Sequence, residues 1–347
     1  MPVSNIGQQT AGKSVWVNTQ TNVQTALVQS NGVQIEADCF DLEQIMESGQ
    51  CFRIYRVSEK EDQSTDFKAG SSNVPDNFGT VYRATAADHT VLIRQESLSI
   101  LPYQKNKQRN FCNGIQEKFQ NNLYRLTFFC SQDEYKHFWR HYFDLETDYR
   151  QYESKIDPKD SYLQSAFAFG SGIRILHQDP WEMLITFIIS QRKNIPAIRQ
   201  AVEALSKKCG TCIDRENEIY AFPTPAQLST LTLSDLQSLS LGYRAKYIYE
   251  TTKQVMNGSL AISQWDMLSN DDLHKVLLSC YGVGEKVANC VALFGYHRIG
   301  AFPVDVWIDR IQKTYYNGHF PVEMYEGFAG IMQQYMFYYE RRKDTCH

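Results

Sequence analysis

Tyr281-Gly-Val-Gly-Glu-Lys-Val-Ala-Asn-Cys290, followed after a short gap by Phe302-Pro-Val-Asp305, decides how this chain is read. Gly282 and Gly284 separate one apolar-periodic segment (Leu273, Val276, Leu277) from another (Val287, Cys290, Val291, Phe294), each at helical spacing. The pattern is helix, tight glycine turn, helix. Glycine accepts positive φ and close backbone approach, so the second helix can offer free N–H groups to a phosphate without a basic side chain. Gly282-Val283-Gly284 taken alone also fits an ordinary turn between two helices.

Two side chains shift that balance. Lys286 falls at the start of the second helix, where the positive end of the helix dipole disfavours an ammonium and favours a nucleophilic neutral amine. Asp305 follows Pro303 and precedes Val306-Trp-Ile-Asp-Arg310, so it can cap that helix and still face a cation. Singly, Lys286 reads as a solvated helix residue and Asp305 as a plain cap. Behind a phosphate-gripping hairpin, the pair suggests amine attack on a sugar carbon, with a carboxylate stabilising developing positive charge.

Composition sets the limits. The 347 residues can bury a substantial core and hold two domains. No apolar run approaches a membrane span, and the polar start Met1-Pro-Val-Ser-Asn lacks a secretory pattern, so a soluble intracellular protein is expected. A net charge of -4 argues against broad electrostatic adhesion to nucleic acid. Binding then has to rest on helix ends and on local patches such as Arg192-Lys193 with Arg199, and Arg244 with Lys246. The nine cysteines are an odd number, best read as reduced thiols; Cys209-Gly-Thr-Cys212 has no second pair nearby in sequence, and neither metal nor cofactor is expected.

Residues 1–33 are polar and read as an N-terminal extension, with some alternation at Ser14-Val-Trp-Val-Asn18. Residues 34–132 carry short alternating runs, Thr80–Thr85, Thr90–Arg94 and Leu123–Phe128, interrupted by a polar loop from Ser58 to Gly79; these predict antiparallel strands. Residues 133–347 are dominated by helical patterns, including Trp181–Gln191, Ile195–Lys207 and Ser234–Leu241. The expected class is α+β: an antiparallel β-sheet domain packed on a larger helical domain with a helix-hairpin-helix and a Gly/Pro-Asp loop.

At this point the sequence resembles the helix-hairpin-helix DNA glycosylases with a Gly/Pro-Asp loop, and within them the 8-oxoguanine DNA glycosylase family. Ser48-Gly-Gln-Cys-Phe-Arg53 is similar to the family's Ser-Gly-Gln-Ser-Phe-Arg signature, and Arg174-Ile-Leu-His-Gln-Asp-Pro180 to its entry into the helical domain. Leu241-Gly-Tyr-Arg-Ala-Lys-Tyr247 resembles the segment that inserts into the duplex, and Phe328-Ala-Gly330 with Gln333 and Phe337 the segment that holds the damaged base. The resemblance implies a bifunctional enzyme that flips 8-oxoguanine from double-stranded DNA, with Lys286 as Schiff-base nucleophile and Asp305 beside it. It also implies that the Gly49 carbonyl accepts from the lesion's N7–H, and that Gln333, Phe337, Cys290 and Phe294 line the base pocket. DNA contacts fall to Gly282, Val283, Gly284, Tyr243, Arg244, Arg192 and Asn194. No oligomer is required.

The chain departs from the family's eukaryotic form at two places. In Ser190-Gln-Arg-Lys-Asn-Ile-Pro-Ala197, Arg192 and Lys193 stand where asparagines read the opposite base, and Ala197 is near an arginine's place. Trp307 stands where a histidine is common. Two other readings remain open: a water-using glycosylase for alkylated purines, which normally lacks the lysine, and a non-catalytic DNA-binding module.

Overall fold

The computed structural model describes residues 32–57, 79–98 and 123–344. The alternation at Ser14–Asn18 and nearly all of the polar loop after Ser58 lie outside the described residues.

Alternation builds the first layer. The strands are Val33–Ala37 (β1), Ile54–Arg56 (β2), Thr80–Ala86 (β3), His89–Ser97 (β4) and Tyr124–Phe128 (β5); in β1, β3 and β5, and at Val91 and Ile93 of β4, apolar residues recur at every second position, as a half-buried sheet requires. The strands pair antiparallel in the order β1-β5-β4-β3-β2. Val91, Ile93, Leu126 and Phe128 point inward against Leu42 and Ile45 of helix α1 (Leu42–Glu47), and against Trp139 and Phe143. Each such side chain, fully buried, contributes roughly 1.5–3 kcal/mol.

From Ser161 onward helices take over: α2 (Ser161–Gly170), α3 (Pro180–Ser190), α4 (Ile195–Cys209), α5 (Arg244–Met256), α6 (Asn270–Leu278), α7 (Glu285–Phe294), α8 (Val306–Tyr315) and α9 (Ala329–Asp344). The stretch expected over Ser234–Leu241 forms a shorter helix, Leu233–Ser238, begun by the reciprocal Thr232–Asp235 capping box. It stops before Ser240, which holds a left-handed φ of 58°. Helix α3 is buried on every side from Trp181 to Ser190, the mark of a central helix. Asp179 starts it, accepting from Glu182 N at 2.8 Å, with Pro180 in the first turn. No helix among the described residues is long and apolar enough to cross a membrane.

Two of the sequence motifs meet where the layers join. The Gln50 amide donates to Arg174 O (2.8 Å) and accepts from Leu176 N (3.0 Å), completing a backbone ladder with a side chain. Gln178 Nε2 returns a bond to Gln50 O at 2.9 Å. Arg174 in turn donates to the carbonyls of Cys39, Asp144 and Thr147. The segment carrying Gly49 is therefore fixed to the entrance of α3 by buried polar bonds, which are costly to break unpaired.

Candidate active site

The hairpin is α6, the turn through Gly282 and Gly284, and α7. Gly282 has φ +83°, and a β-carbon there would collide with the Tyr247 ring. Both the backbone and the neighbouring ring demand glycine. Gly284 is the N-cap of α7, makes no side-chain cap bond and faces open space, so the first-turn N–H groups lack an intrahelical acceptor and point outward. Val283 between them is buried. Gln191 Nε2 donates to Gly282 O at 3.0 Å, tying the hairpin to the end of α3.

Lys286 lies in the first turn of α7, half-buried, with its ammonium 5.2 Å from the Phe187 ring centre. Cys290, one turn on, is buried; burial raises its thiol pKa, and the Lys286 charge beside it pulls the other way. Asp305 is the N-cap of α8: its Oδ1 accepts from Trp307 N at 3.0 Å and from Ile308 N at 2.9 Å. Burial lifts the Asp305 carboxyl above the ordinary carboxylate range, and the Ile308 bond, the Lys286 charge, the Trp307 bond and the Arg341 charge offset part of that rise. Lys286, Cys290 and Asp305 are thus one electrostatic unit.

A second group assembles around Phe337, whose neighbour Arg341 also acts on Asp305. Gly49, φ +78°, faces Phe337 closely enough that a β-carbon would lie 3.0 Å from Phe337 Cε1. Gln333, one turn before Phe337 on α9, is buried and accepts from Gln334 Nε2 at 3.0 Å. Phe294 is part of the helical core, stacked on Phe187 with centres 5.5 Å apart, one ring removed from the Lys286 ammonium.

The remaining expected contacts divide. Tyr243 (47% exposed) and Arg192 are at the surface near the hairpin, and Arg192 holds a left-handed φ of 53°. Lys246 reaches within 5.8 Å of the Tyr281 ring centre, adding a basic group over an exposed aromatic. Arg244, however, is buried: Nε donates to Gln191 O at 2.8 Å, Nη2 to the same oxygen, and Nη1 to Leu241 O at 3.3 Å. Asn194 caps α4, accepting from Ala197 N at 3.0 Å. Arg199 is not part of a surface patch with Arg192 and Lys193; it donates to Met46 O at 2.9 Å and lies over Tyr55.

Two residues escaped the sequence reading. Arg341 donates to Glu47 O at 2.9 Å and lies 5.3 Å from the Phe337 ring centre, joining α9 to the segment that carries Gly49. It stands four residues after Phe337, as Phe337 stands four after Gln333, so the helical face signalled it. Phe187 sits in α3, which is buried on every side and whose sequence distinguishes no face.

Residues 32–184 match the family model described as 8-oxoguanine DNA glycosylase, N-terminal domain, and residues 185–321 match the HhH-GPD superfamily of base excision DNA repair proteins. The chain belongs to the 8-oxoguanine DNA glycosylase family. An N-glycosylase/DNA lyase of Saccharomyces cerevisiae is 37% identical over 202 residues, 54% of this chain and 53% of that protein, so the match spans about half of the yeast relative. A probable N-glycosylase/DNA lyase of Methanothermobacter thermautotrophicus is 30% identical over 230 residues, covering 58% of this chain and 73% of the relative. Among solved structures, the Clostridium acetobutylicum 8-oxoguanine glycosylase/lyase in complex with duplex DNA containing cytosine opposite 8-oxoguanine superposes with a TM-score of 0.71. It is 28% identical and covers 91% of this chain and 98% of its own. A 3-methyladenine DNA glycosylase from Archaeoglobus fulgidus, at 16% identity and TM-score 0.60, shares the fold.

Proposed function

We propose that this protein removes 8-oxoguanine from double-stranded DNA and then cleaves the strand at the resulting site, using Lys286 as nucleophile. The observation that carries the reading is the shared environment of Lys286, Cys290 and Asp305 directly behind the outward-facing first turn of α7. The N–H groups of that turn suit a backbone phosphate, and Tyr243 and Arg192 lie at the surface for the duplex.

The chemistry follows from the geometry. A base buried in a duplex has to leave the stack before a side chain can reach its sugar. The unprotonated Lys286 amine attacks C1′ as the C1′–N9 bond breaks and the base departs with its electron pair. Asp305 stabilises the positive charge that develops on the sugar and receives the proton that the amine loses. Ring opening gives a Schiff base, from which loss of a C2′ proton expels the 3′ phosphate. Lesion recognition falls to Gly49 and Phe337: a carbonyl facing an unprotonated N7 in guanine loses about 1–3 kcal/mol relative to the N7–H of the lesion. Phe337 packs beside Gly49, so the ring that would stack on the base and the carbonyl that would bond its edge border the same space.

Borohydride trapping tests the reading. A duplex with one 8-oxoguanine should give a covalent protein–DNA band with the wild type, none with undamaged guanine, and none with Lys286→Gln that still binds the duplex. Released base without a trapped band would favour the water-using glycosylase; binding with neither would favour a non-catalytic module.

A further inference from the structure

Asp144, His177 and His297 come from three separate parts of the chain: the turn after Arg140–Tyr142, the extended run before α3, and the turn after α7. One ligating atom from each lies within 4.8 Å of the others, and the carboxylate is buried. His177 Nε2 stands 3.5 Å from Asp144 Oδ1, and His297 Nε2 stands 3.7 Å from Asp144 Oδ2. Those separations are long for hydrogen bonds to a carboxylate, which run nearer about 2.7–2.9 Å. They are close to the spacing of two ligands on one ion, because bonds of about 2.0–2.2 Å at tetrahedral angles put neighbouring ligand atoms about 3.3–3.6 Å apart; the 3.7 Å separation to His297 would have to shorten slightly.

We propose that Asp144, His177 and His297 bind one divalent transition-metal ion of the zinc type, at a site distinct from Lys286 and Asp305. The carboxylate is already oriented as a ligand is: Thr147 Oγ1 donates to Oδ1 at 2.7 Å and Tyr149 OH to Oδ2 at 2.8 Å. His177 is sandwiched between His141 (ring centres 4.0 Å apart) and His297 (3.6 Å), so its ring is held in one orientation. Asp144 and His297 both adopt a left-handed φ of 49°, an uncommon backbone for a non-glycine residue, on the two sides of the cluster.

His141, His177 and His297 all border one cavity of about 350 Å³, so a water or His141 completes a fourth position. Binding through His297 Nε2 displaces that atom's proton to solvent and ends its 3.1 Å contact with Ile175 O. The ion would pin the turn after α7 to the turn after Arg140–Tyr142, two segments far apart in sequence.

The test uses the full-length, untagged protein, stripped with a chelator and titrated with Zn²⁺ against a chromophoric competitor. One equivalent should bind, with affinity reduced at least about tenfold in His177→Asn and in His297→Asn. Asparagine tolerates the left-handed backbone at His297, which favours a folded variant. Stripped, folded protein that takes up no Zn²⁺ overturns the proposal, and so does unchanged binding in both variants. If the variants do not fold, the Co²⁺ spectrum of the wild type decides: ligand-field bands without a thiolate charge-transfer band support the His/Asp site, and a thiolate band places the ion on cysteine and overturns it.

Discussion

The Phe337 ring lies against the α-carbon of Gly49, close enough that any β-carbon there would approach Cε1 to 3.0 Å. Gly49 also holds φ +78°, in the left-handed region where a side chain costs about 1–2 kcal/mol. Gly49→Ala should therefore lower the melting midpoint by a few degrees. It should also cut kcat/KM on 8-oxoguanine duplexes by at least about tenfold, because the alanine methyl and the flipped base compete for one gap. Differential scanning and single-turnover kinetics on one preparation check both halves.

Gly282 presents a harsher conflict. With φ +83° and the Tyr247 ring where a β-carbon would stand, Gly282→Ala should cost about 2–4 kcal/mol and disorder the hairpin turn. Adding Tyr247→Ala removes the collision and leaves the backbone strain, so urea melts of the double variant should show partial recovery. DNA affinity, read by fluorescence anisotropy, should recover less than stability, since the strained turn also aims the α7 N–H groups.

Asp305→Asn separates cap from charge. Asparagine caps helices about as well as aspartate, so α8 should persist. Catalysis should fall by roughly 10²–10³-fold if the ionised carboxylate stabilises the sugar cation. Because burial raises the folded carboxyl above its unfolded value, the native state holds its proton more tightly, and stability declines as pH rises through that interval. The variant loses this dependence and should be no less stable than the wild type at neutral pH. The wild-type rate should rise with pH across the same interval, above the usual carboxylate range.

Glu182 supplies a stability test away from the reacting groups. Its carboxyl is wholly enclosed in α3 and its pKa is pushed up from 4.5 to about 7 by burial, with Arg53 opposing. The folded value exceeds the unfolded one, so stability is lost as pH rises from about 4.5 to about 7. Glu182→Gln should remove that slope and be more stable than the wild type at pH 8, by at most about 3 kcal/mol. Arg53 retains Glu203 and the Tyr220 carbonyl in the variant. Denaturant melts at pH 5 and pH 8 measure the difference.

Legibility followed the range of each interaction. The hairpin could be read because Gly282, Gly284 and Lys286 act through backbone geometry and helix position, both local in sequence. The helices Pro180–Ser190 and Ile195–Cys209 were legible to within two residues because caps and proline mark their starts. Arg244 and Arg199 were not, since whether an arginine faces solvent depends on distant carbonyls, Gln191 O for one and Met46 O for the other. Asp144, His177 and His297 carry no common spacing at all; only the join between the two layers brings them together. The pairing of Gln50 with the Arg174–Leu176 backbone is similar: both motifs were visible, but the bond between them was not.

Oδ1 of Asp305 accepts both N–H groups at the start of α8, so main-chain geometry, rather than packing by neighbouring side chains, sets the carboxylate's direction. The orientation proposed for catalysis then depends on the helix start rather than on the side chains around it. Trp307 contributes its backbone N–H whatever its side chain is, so the carboxylate's aim does not depend on the indole.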